Sequence, residues 1–518
     1  MSNTEKLQKA VATTIAAGYQ LDKDAYDFLE TLAETEDPTK IIDAVMEKIK
    51  EIKESTPFIN KSLLKRLIEK SEPPKEIVTQ RTEEENMPYL YPQITEGKNQ
   101  FHPFAKEIES NIKIIEDPTE KINSTGTIKD YLEYFRDRFK RTERLLRQRV
   151  DVKNAASVLD ALKSPANSKV KIIGMVTEKR EVKQKILLTV EDLSANALVL
   201  VSQNAQEELK RKARSLLLDQ VICISILKTR STLLIVEDII LPDVAQKAHR
   251  TADIPVYAVL TSDLHLGSTK FLREAFNRFI LWLNGKYGNK NLKEIASHVK
   301  YVLIAGDIVD GIGVYPNQVK ELAIKDIYKQ YKLAAKYIEQ IPDYIDVVIT
   351  PGNHDAPRKA LPQPAISNSY LETLQESRRI YSLGNPCTLS IHDIEILMYH
   401  GRSIDDVLSS VVGMKFGHPE AAMRLLLQSR HLAPIYGEKT PISPENRDFL
   451  VIEHVPDIFQ AGHVHVLGHS NYRGVLIVNS GGWQEQTEYM KQLGLVPTPG
   501  VIPVINLQTM ELTVIPFL

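Results

Sequence analysis

Cysteine, net charge and long apolar runs are all scarce in this sequence. Only Cys223 and Cys387 occur among 518 residues, which excludes a disulfide framework or a cysteine-based zinc site and is typical of a reducing compartment. No stretch approaches the roughly 18 uncharged apolar residues of a membrane-spanning helix, and the first residues lack a signal-peptide layout. A formal net charge of -2 argues against wholesale coating of nucleic acid and leaves a local basic face open. We therefore expect a soluble intracellular protein with no membrane partner.

The chain is long enough for several domains, and its character changes along its length. With 43% hydrophobic and 25% charged residues, 518 residues are expected to form two to four globular domains. Residues 1–70 have helical periodicity and plausible helix caps, which predicts a small helical N-terminal domain. Prolines then interrupt charged and polar stretches over residues 71–127, so we predict a proline-rich linker there.

A basic amphipathic helix is predicted at the start of the next region, which spans residues 128–247. Its sequence, "IKDYLEYFRDRFKRTERLLRQR", places apolar residues at helical spacing and carries more Lys and Arg than Asp and Glu. One interpretation is a packed helix with a solvated charged side, and the other is a helix that contacts phosphates. Charge alone does not choose between them.

Residues 169–241 within that region alternate in the manner of β-strands. Three strand-like runs, a helical "QNAQEELKRKARSLLL" and two further strand-like runs match the element order of an OB-fold barrel. The strand-like runs lack the aromatic residues that stack bases in proteins that bind single strands. We therefore favour a role in protein docking or positioning over independent DNA affinity.

Residues 248–518 have an α/β pattern in which apolar strands end in polar clusters. The clusters are "TSDLHLGS", "GDIVDG", "PGNHD", "HGRS" and "GHVHVLGHS", and each follows a short run that is fit for a buried strand. Because strand ends of this kind meet at one edge of a sheet, the clusters should lie together. Asp, His and Asn are ligands for divalent cations, so the pattern predicts a metal site.

The ordered motifs DxH, GDxxDG, GNHD, HG and GHxH resemble the calcineurin-like metallophosphoesterase superfamily. The resemblance implies a β-sandwich with flanking helices and a pair of divalent metal ions, with Mn²⁺ expected first and Mg²⁺, Fe²⁺ or Zn²⁺ as alternatives. It implies one ion on Asp263, His265 and His465, a second on Asn353, His400 and His463, and Asp307 as the bridge between them. Two such ions activate a water and hold the phosphate for attack.

Two further residues receive catalytic roles from the same resemblance. His354 follows the ligand Asn353 and is expected to face the scissile phosphate and to protonate or stabilise the leaving oxygen. Asp310 lies at the position where the phosphatase branch of the superfamily carries an aspartate that orients this histidine. Its carboxylate is expected to hold His354 in one tautomer and to raise its pKa. The alternative is that Asp310 caps the following turn.

The order of the predicted domains narrows the resemblance further. A helical domain, a linker, a basic helix, an OB-fold and a phosphoesterase domain ending in "VNSGGWQEQTEYMK" are similar to the small subunits of archaeal family-D DNA polymerases. This resemblance implies a 3′–5′ proofreading exonuclease that acts on DNA 3′ ends in the cytoplasm, near the nucleoid. It also implies a heterodimer or larger assembly with the large catalytic subunit. The alternatives are a non-catalytic scaffold subunit and a metal-dependent phosphatase or phosphodiesterase that acts on small substrates.

Overall fold

A computed structural model describes much of the chain, namely residues 3–16, 20–21, 23–33, 37–52, 58–59, 101–230 and 233–518. The chain divides into two compact units, Met1–Asn86 and Met87–Leu518. The second unit contains a closed barrel and two β-sheets flanked by helices, so the protein is multidomain with mixed α and β structure. Among the described residues, no helix combines the length and the apolar character needed to cross a membrane.

The described part of the first unit is helical, with one short pair of parallel strands. Its elements are α1 (Asn3–Ala16), β1 (Gln20–Leu21), α2 (Lys23–Leu32), α3 (Pro38–Ile52) and β2 (Phe58–Ile59). Ala10, Leu29 and Ile42 are fully buried between the helices. Asp37 accepts a hydrogen bond from Thr39 N at 3.1 Å and so caps α3. The strand pair was not predicted, because two residues are too few to show an alternating pattern.

The predicted linker, residues 71–127, differs from the structure in its second half. Residues 71–100 lie outside the described residues, whereas residues 101–127 form a 3₁₀ turn (Phe104–Glu107) and a strand, β3 (Ile112–Glu116). β3 pairs antiparallel with the strand Cys387–Ile391 at the edge of a sheet. The linker prediction is wrong over β3, because the pairing partner lies far along the chain and a short edge strand leaves little local pattern.

The basic helix is present as α4 (Ile128–Arg147). It begins at a capping box, in which Thr127 Oγ1 accepts from Asp130 N at 3.3 Å and the Asp130 carboxylate accepts from Thr127 N at 2.9 Å. The start of the helix therefore follows from a local signal in the sequence.

Three arginines of α4, at positions 138, 141 and 144, pair with carboxylates of the sheet domain. Arg138 is buried and donates from Nε to Asp448 Oδ2 at 2.8 Å, and His431 Nε2 donates to the same oxygen at 2.8 Å. Arg141 Nη2 lies 2.7 Å from Glu453 Oε2. Burial would raise the pKa of Asp448, but the charges and hydrogen bonds of His431 and Arg138 hold it well below its usual range. These contacts favour the interpretation of α4 as a packed helix.

Arg138→Ala is expected to lower the free energy of unfolding by about 3 to 5 kcal/mol, because it leaves the buried Asp448 carboxylate without its main counter-charge. Urea titration monitored by circular dichroism measures the loss. Lys140→Ala, an exposed position on the same helix, is the matched control and should change stability by less than about 0.5 kcal/mol. Equal effects of the two variants would contradict a structural role for the Arg138 ion pair.

A closed barrel follows α4. Its elements are α5 (Val158–Lys163), β4 (Lys169–Val182), β5 (Lys185–Glu191), β6 (Asn196–Val201), α6 (Glu207–Ser215), β7 (Val221–Lys228) and β8 (Leu234–Ile240). The strands close in the order β4-β5-β6-β8-β7. Ile186, Leu188 and Val190 alternate along β5 into the barrel core. Three strands, a helix and two strands thus occur in the predicted order, and the assignment as an OB-fold stays a prediction.

The rest of the second unit contains two six-stranded sheets and their helices. The elements are β9 (Tyr257–Thr261), α7 (Arg273–Leu283), α8 (Lys290–His298), β10 (Val299–Ala305), the 3₁₀ turn Gln318–Lys320, α9 (Ile327–Ile338), β11 (Asp346–Thr350), α10 (Asn368–Ser377), β12 (Ile380–Ser382), β13 (Cys387–Ile391), β14 (Ile394–Met398), α11 (Ile404–Ser410), α12 (Pro419–Ser429), β15 (Ile458–Ala461), β16 (Leu467–Tyr472), β17 (Val475–Ser480), α13 (Glu488–Gln492), β18 (Val501–Asn506) and β19 (Glu511–Pro516).

The sheets pack face to face between two layers of helices. Their strand orders are β12-β11-β10-β9-β18-β19 and β16-β17-β15-β14-β13-β3. The central strand β10 is buried on both faces: Val302 and Ile304 pack against the helices, whereas Tyr301, Leu303 and Ala305 pack between the sheets. Burial on both faces explains the continuous apolar runs in the sequence. It also fixes the strand ends that carry the polar clusters.

Candidate metal centre

The predicted ligands converge at the carboxyl ends of central strands from both sheets. β9, β10 and β11 run parallel in one sheet, and β14 and β15 run parallel in the other. The loops after these strands carry the predicted ligands, in chain order Asp263, His265, Asp307, Asn353, His400, His463 and His465. The loops also bond to one another, since Asp263 N donates to Gly306 O at 2.9 Å and Gly462 N donates to His400 O at 2.8 Å.

Much of this convergence depends on left-handed backbone. Positive φ angles occur at Asp263 (53°), His265 (49°), Asp307 (52°), His463 (71°) and His465 (60°). Left-handed conformations of residues other than glycine cost about 1 to 3 kcal/mol each and concentrate at functional sites. The fold therefore stabilises a strained arrangement that places these side chains together.

Two glycines make room for the carboxylates. A Cβ on Gly352 would clash with the Asp307 carboxylate, and a Cβ on Gly462 would clash with the Asp263 carboxylate. Glycine is therefore required at both positions by close approach rather than by the turn alone.

The first group of predicted ligands includes a carboxylate oxygen that has no hydrogen-bond partner among the described residues. This oxygen is Asp263 Oδ1, which is buried. It lies 3.4 Å from His465 Nε2 and 3.8 Å from His265 Nε2, and these two nitrogens are 3.0 Å apart. A buried anion facing two imidazole nitrogens is a suitable donor set for a divalent cation.

Asp307 occupies the centre of the site, as its predicted bridging position requires. Its Oδ2 lies 3.3 Å from His400 Nε2, 3.7 Å from His265 Nε2 and 3.9 Å from His354 Nε2. Its Oδ1 accepts a hydrogen bond from His354 N at 2.8 Å, which fixes the carboxylate. One carboxylate thus faces both groups of predicted ligands.

The second group is brought together around Asp307 as well. Asn353 Oδ1 lies 3.1 Å from His400 Nε2, and the ligand atoms of Asp307, His400 and His463 all lie within 4.8 Å of one another. His463 Nε2 is 3.2 Å from Asp405 Oδ2. The Asp405 carboxylate therefore lies within hydrogen-bond distance of the His463 nitrogen that also faces the second group.

Hydrogen bonds on the far side of the imidazoles aim their Nε2 atoms inward. His400 Nδ1 donates to Ala305 O at 2.9 Å, and His265 Nδ1 donates to Asp310 Oδ1 at 2.9 Å. Bonds of this kind fix the tautomer and the ring orientation of metal-binding histidines. The arrangement thus matches residues that hold a cation through Nε2.

The hydrogen-bond partner of the Asp310 carboxylate differs from the predicted one. Its carboxylate hydrogen-bonds to His265, whereas His354 Nδ1 donates to the Asp310 main-chain oxygen at 2.7 Å and lies 3.9 Å from the carboxylate. Burial lowers the pKa of His354 to about 4, although the nearby Asp307 charge acts in the opposite direction. The Asp310 carboxylate therefore does not bond to His354 in this geometry; its charge acts to raise the pKa of His354, as predicted, but burial outweighs it. Main-chain oxygens leave no trace in a sequence motif.

The electrostatics of the site favour bound positive charge. Burial would raise the pKa of Asp307, but the charges of His400 and His354 hold it well below its usual range. Burial opposes the imidazolium form of His265, yet the nearby Asp263 carboxylate and the hydrogen bond to Asp310 raise its pKa to about 10. The Asp307 carboxylate therefore stays ionised, and the raised pKa of His265 reflects the negative charge of the carboxylates around it. A divalent cation is a suitable ligand for such a group of buried carboxylates.

Several residues that support the site were not predicted. Gln484 Nε2 donates to Asp310 Oδ1 at 3.1 Å, and Gln318 Nε2 donates to Asp310 Oδ2 at 3.3 Å. Asp355, the last residue of GNHD, accepts from Gly352 N at 2.8 Å and from Tyr331 Oη at 3.0 Å, so it shapes the loop. The two glutamines lie in separate segments of the chain, and no motif in the sequence around them indicates their contact with Asp310.

A cleft of about 460 Å³ opens onto the centre. Its floor includes His265, Asp307 and His354, and its walls carry two basic residues, Arg402 and Lys439. Arg402 Nη2 donates to Lys439 O at 3.3 Å, which ties the two basic residues together. The cleft therefore combines a candidate cation site with positive side chains, an arrangement suited to a phosphate ester.

Comparisons with known proteins give consistent matches. The family of DNA polymerase alpha/epsilon B-subunits matches residues 258–466. The DNA polymerase II small subunit of Archaeoglobus fulgidus is 41% identical over 394 residues, 76% of this chain and 78% of that protein. The DNA polymerase II small subunit of Methanocaldococcus jannaschii is 38% identical over 407 residues, 78% of this chain and 68% of that protein. A solved archaeal phosphodiesterase covers 50% of this chain and 98% of its own at 15% identity, with a TM-score of 0.26, a likeness too weak to support an inference.

Proposed function

Because the chain belongs to the family of DNA polymerase II small subunits, we propose that it is a metal-dependent 3′–5′ exonuclease that proofreads for a separate large polymerase subunit. The predicted calcineurin-like metallophosphoesterase architecture is part of this proposal. In this proposal, the protein acts on DNA 3′ ends at the nucleoid. The alternatives are a scaffold subunit without activity and a phosphatase that acts on small substrates.

The observation that carries the proposal is the convergence of all seven predicted ligands around Asp307 Oδ2 and the partnerless Asp263 Oδ1. One ion would lie with Asp263, His265 and His465, and the other with Asn353, His400 and His463. Two bound divalent cations, with Mn²⁺ the first to test, would activate a water and neutralise charge on the phosphate. A scaffold would not need this strained and charged arrangement.

The remaining polar residues of the cleft have separate tasks. The Nδ1 bond from His354 to Asp310 O fixes its ring and directs Nε2 to the cleft, where the imidazole would protonate or stabilise the leaving oxygen once the substrate phosphate favours its charged form. Arg402 and Lys439 bind the nonbridging oxygens and the neighbouring phosphates of the strand.

The barrel and α4 belong to the assembly function in this proposal. The barrel is an OB-fold that docks the large subunit and forms one body with the sheet domain. Arg138 and Arg141 of α4 are paired with carboxylates of the sheet domain, so these two cations are not free to contact phosphates, which supports a structural role for α4.

A two-substrate assay tests the proposal. The purified chain is incubated with Mn²⁺ and a 3′-labelled single strand, and in parallel with para-nitrophenyl phosphate. We expect mononucleotides to be released from the 3′ end. Turnover of para-nitrophenyl phosphate alone would favour the phosphatase, and inactivity on both by a metal-loaded protein would favour the scaffold.

Asp310→Asn is expected to weaken Mn²⁺ binding about 10- to 100-fold, because the charge that orients and polarises His265 is removed. Isothermal titration calorimetry with Mn²⁺ measures the change. Asp393→Asn, which removes an exposed carboxylate at the distant β13–β14 turn, is the matched control and should bind as the unmodified protein does. Unchanged affinity in Asp310→Asn would show that the carboxylate does not support a ligand.

A further inference from the structure

One wall of the cleft is lined by tyrosine rings that lead away from the candidate metal centre. The Tyr315 ring centroid lies 6.1 Å from that of His354, and the Tyr489 ring lies 5.6 Å beyond Tyr315 with an interplanar angle of 24°. Tyr489 is 44% exposed, so its outer face is open to a ligand. A row of rings, of which Tyr315 and Tyr489 are stacked on each other and His354 is tilted against Tyr315, therefore extends from the proposed catalytic histidine along the cleft.

A single carboxylate holds the two tyrosine segments in place. Tyr315 Oη donates to Glu321 Oε2 at 2.9 Å, and the main-chain N of Glu488, next to Tyr489, donates to Glu321 Oε1 at 3.3 Å. Thr487 caps the short helix α13 by accepting from Met490 N at 3.2 Å. The rings are thus positioned in advance, which reduces the entropy lost when a ligand stacks on them.

The two walls of the cleft differ in chemistry. Beside the tyrosines lie the apolar side chains of Val314, Met490, Leu493 and Leu495, whereas Arg402 and Lys439 also line the cleft. A small phosphate ester would use only the basic residues. A nucleotide, whose flat base adjoins its phosphate, would use both.

We propose that Tyr315 and Tyr489 form a stacking subsite for the base of the 3′-terminal nucleotide. The proposal rests on the proposed exonuclease function, and it adds that the cleft recognises the base of the substrate. Every base has a π face, so the subsite accepts all four bases, as a proofreading site must. The strand-like runs of the barrel lack aromatic residues that could stack on bases, whereas the cleft contains Tyr315 and Tyr489.

Tyr489→Ala is expected to raise KM about 5- to 100-fold for a single strand with an ordinary 3′-terminal nucleotide, because base stacking on one ring is lost. The same strand ending in an abasic residue is the matched substrate, and its KM should not change. Tyr489→Phe retains the ring and should behave as the unmodified protein on both strands. Equal losses on both strands, or no loss on either, would overturn the subsite.

A binding experiment separates this proposal from the exonuclease itself. dAMP and deoxyribose 5-phosphate are titrated calorimetrically into the Mn²⁺-loaded chain and into Tyr489→Ala. Tighter binding of dAMP that Tyr489→Ala abolishes supports the subsite even if neither strand is cut, in which case only the exonuclease proposal fails. A dAMP preference that persists in Tyr489→Ala, or no preference in the unmodified protein, overturns the subsite.

Discussion

Asp307→Asn is expected to reduce nucleotide release by about 10³-fold or more. Asp307 Oδ2 lies 3.3 to 3.9 Å from the Nε2 atoms of three histidines, so within the described ranges it is the carboxylate placed to contact both proposed ions. Loss of a bridging charge removes water activation and charge neutralisation together. Those effects are worth several kcal/mol, and each 1.36 kcal/mol is a factor of ten in rate.

The fold should survive this substitution, which keeps the result interpretable. Asn has the size of Asp and tolerates the left-handed φ of 52° at position 307. Asp393→Asn makes the same change at another left-handed position, φ 64°, on an exposed turn, and should leave activity intact. Nucleotide release from a 3′-labelled strand is measured for both variants, with thermal unfolding as the check on folding. Activity of Asp307→Asn within about tenfold of the unmodified protein would refute the bridging role.

The sequence could predict the strand ends and the residues on them. β9 and β10 are apolar on both faces and each stops at a polar motif, so the pattern alone predicts Asp263, His265 and Asp307 at one sheet edge. Parallel strands present their carboxyl ends together, and the order of the motifs names the residues there. Chain connectivity and strand burial thus predict where the polar clusters meet, whereas the resemblance to the metallophosphoesterase superfamily implied which of their residues are ligands.

What the sequence could not predict depends on contacts between distant segments. The partner of the Asp310 carboxylate is His265 rather than His354, and His463 contacts Asp405 on α11, a residue outside every motif. The buried ion pair of Arg138 could not be predicted for the same reason. Its partner Asp448 lies in a loop of the sheet domain, and charge patterning on one helix cannot reveal it.

His354→Ala is expected to lower the rate of cleavage about 10²- to 10⁴-fold, as loss of a general acid does, while Mn²⁺ binding is retained. Its Nδ1 is occupied by Asp310 O at 2.7 Å, and its Nε2 lies 3.9 Å from Asp307 Oδ2, farther than His265 or His400. Single-turnover kinetics measure the rate, and calorimetry counts the bound Mn²⁺ in the same variant. His265, His354 and Asp307 are close enough to form a cation site themselves, so the stoichiometry decides the role of His354. Loss of one equivalent of Mn²⁺ would make His354 a ligand, and the proton for the leaving oxygen would then have to come from another group in the cleft.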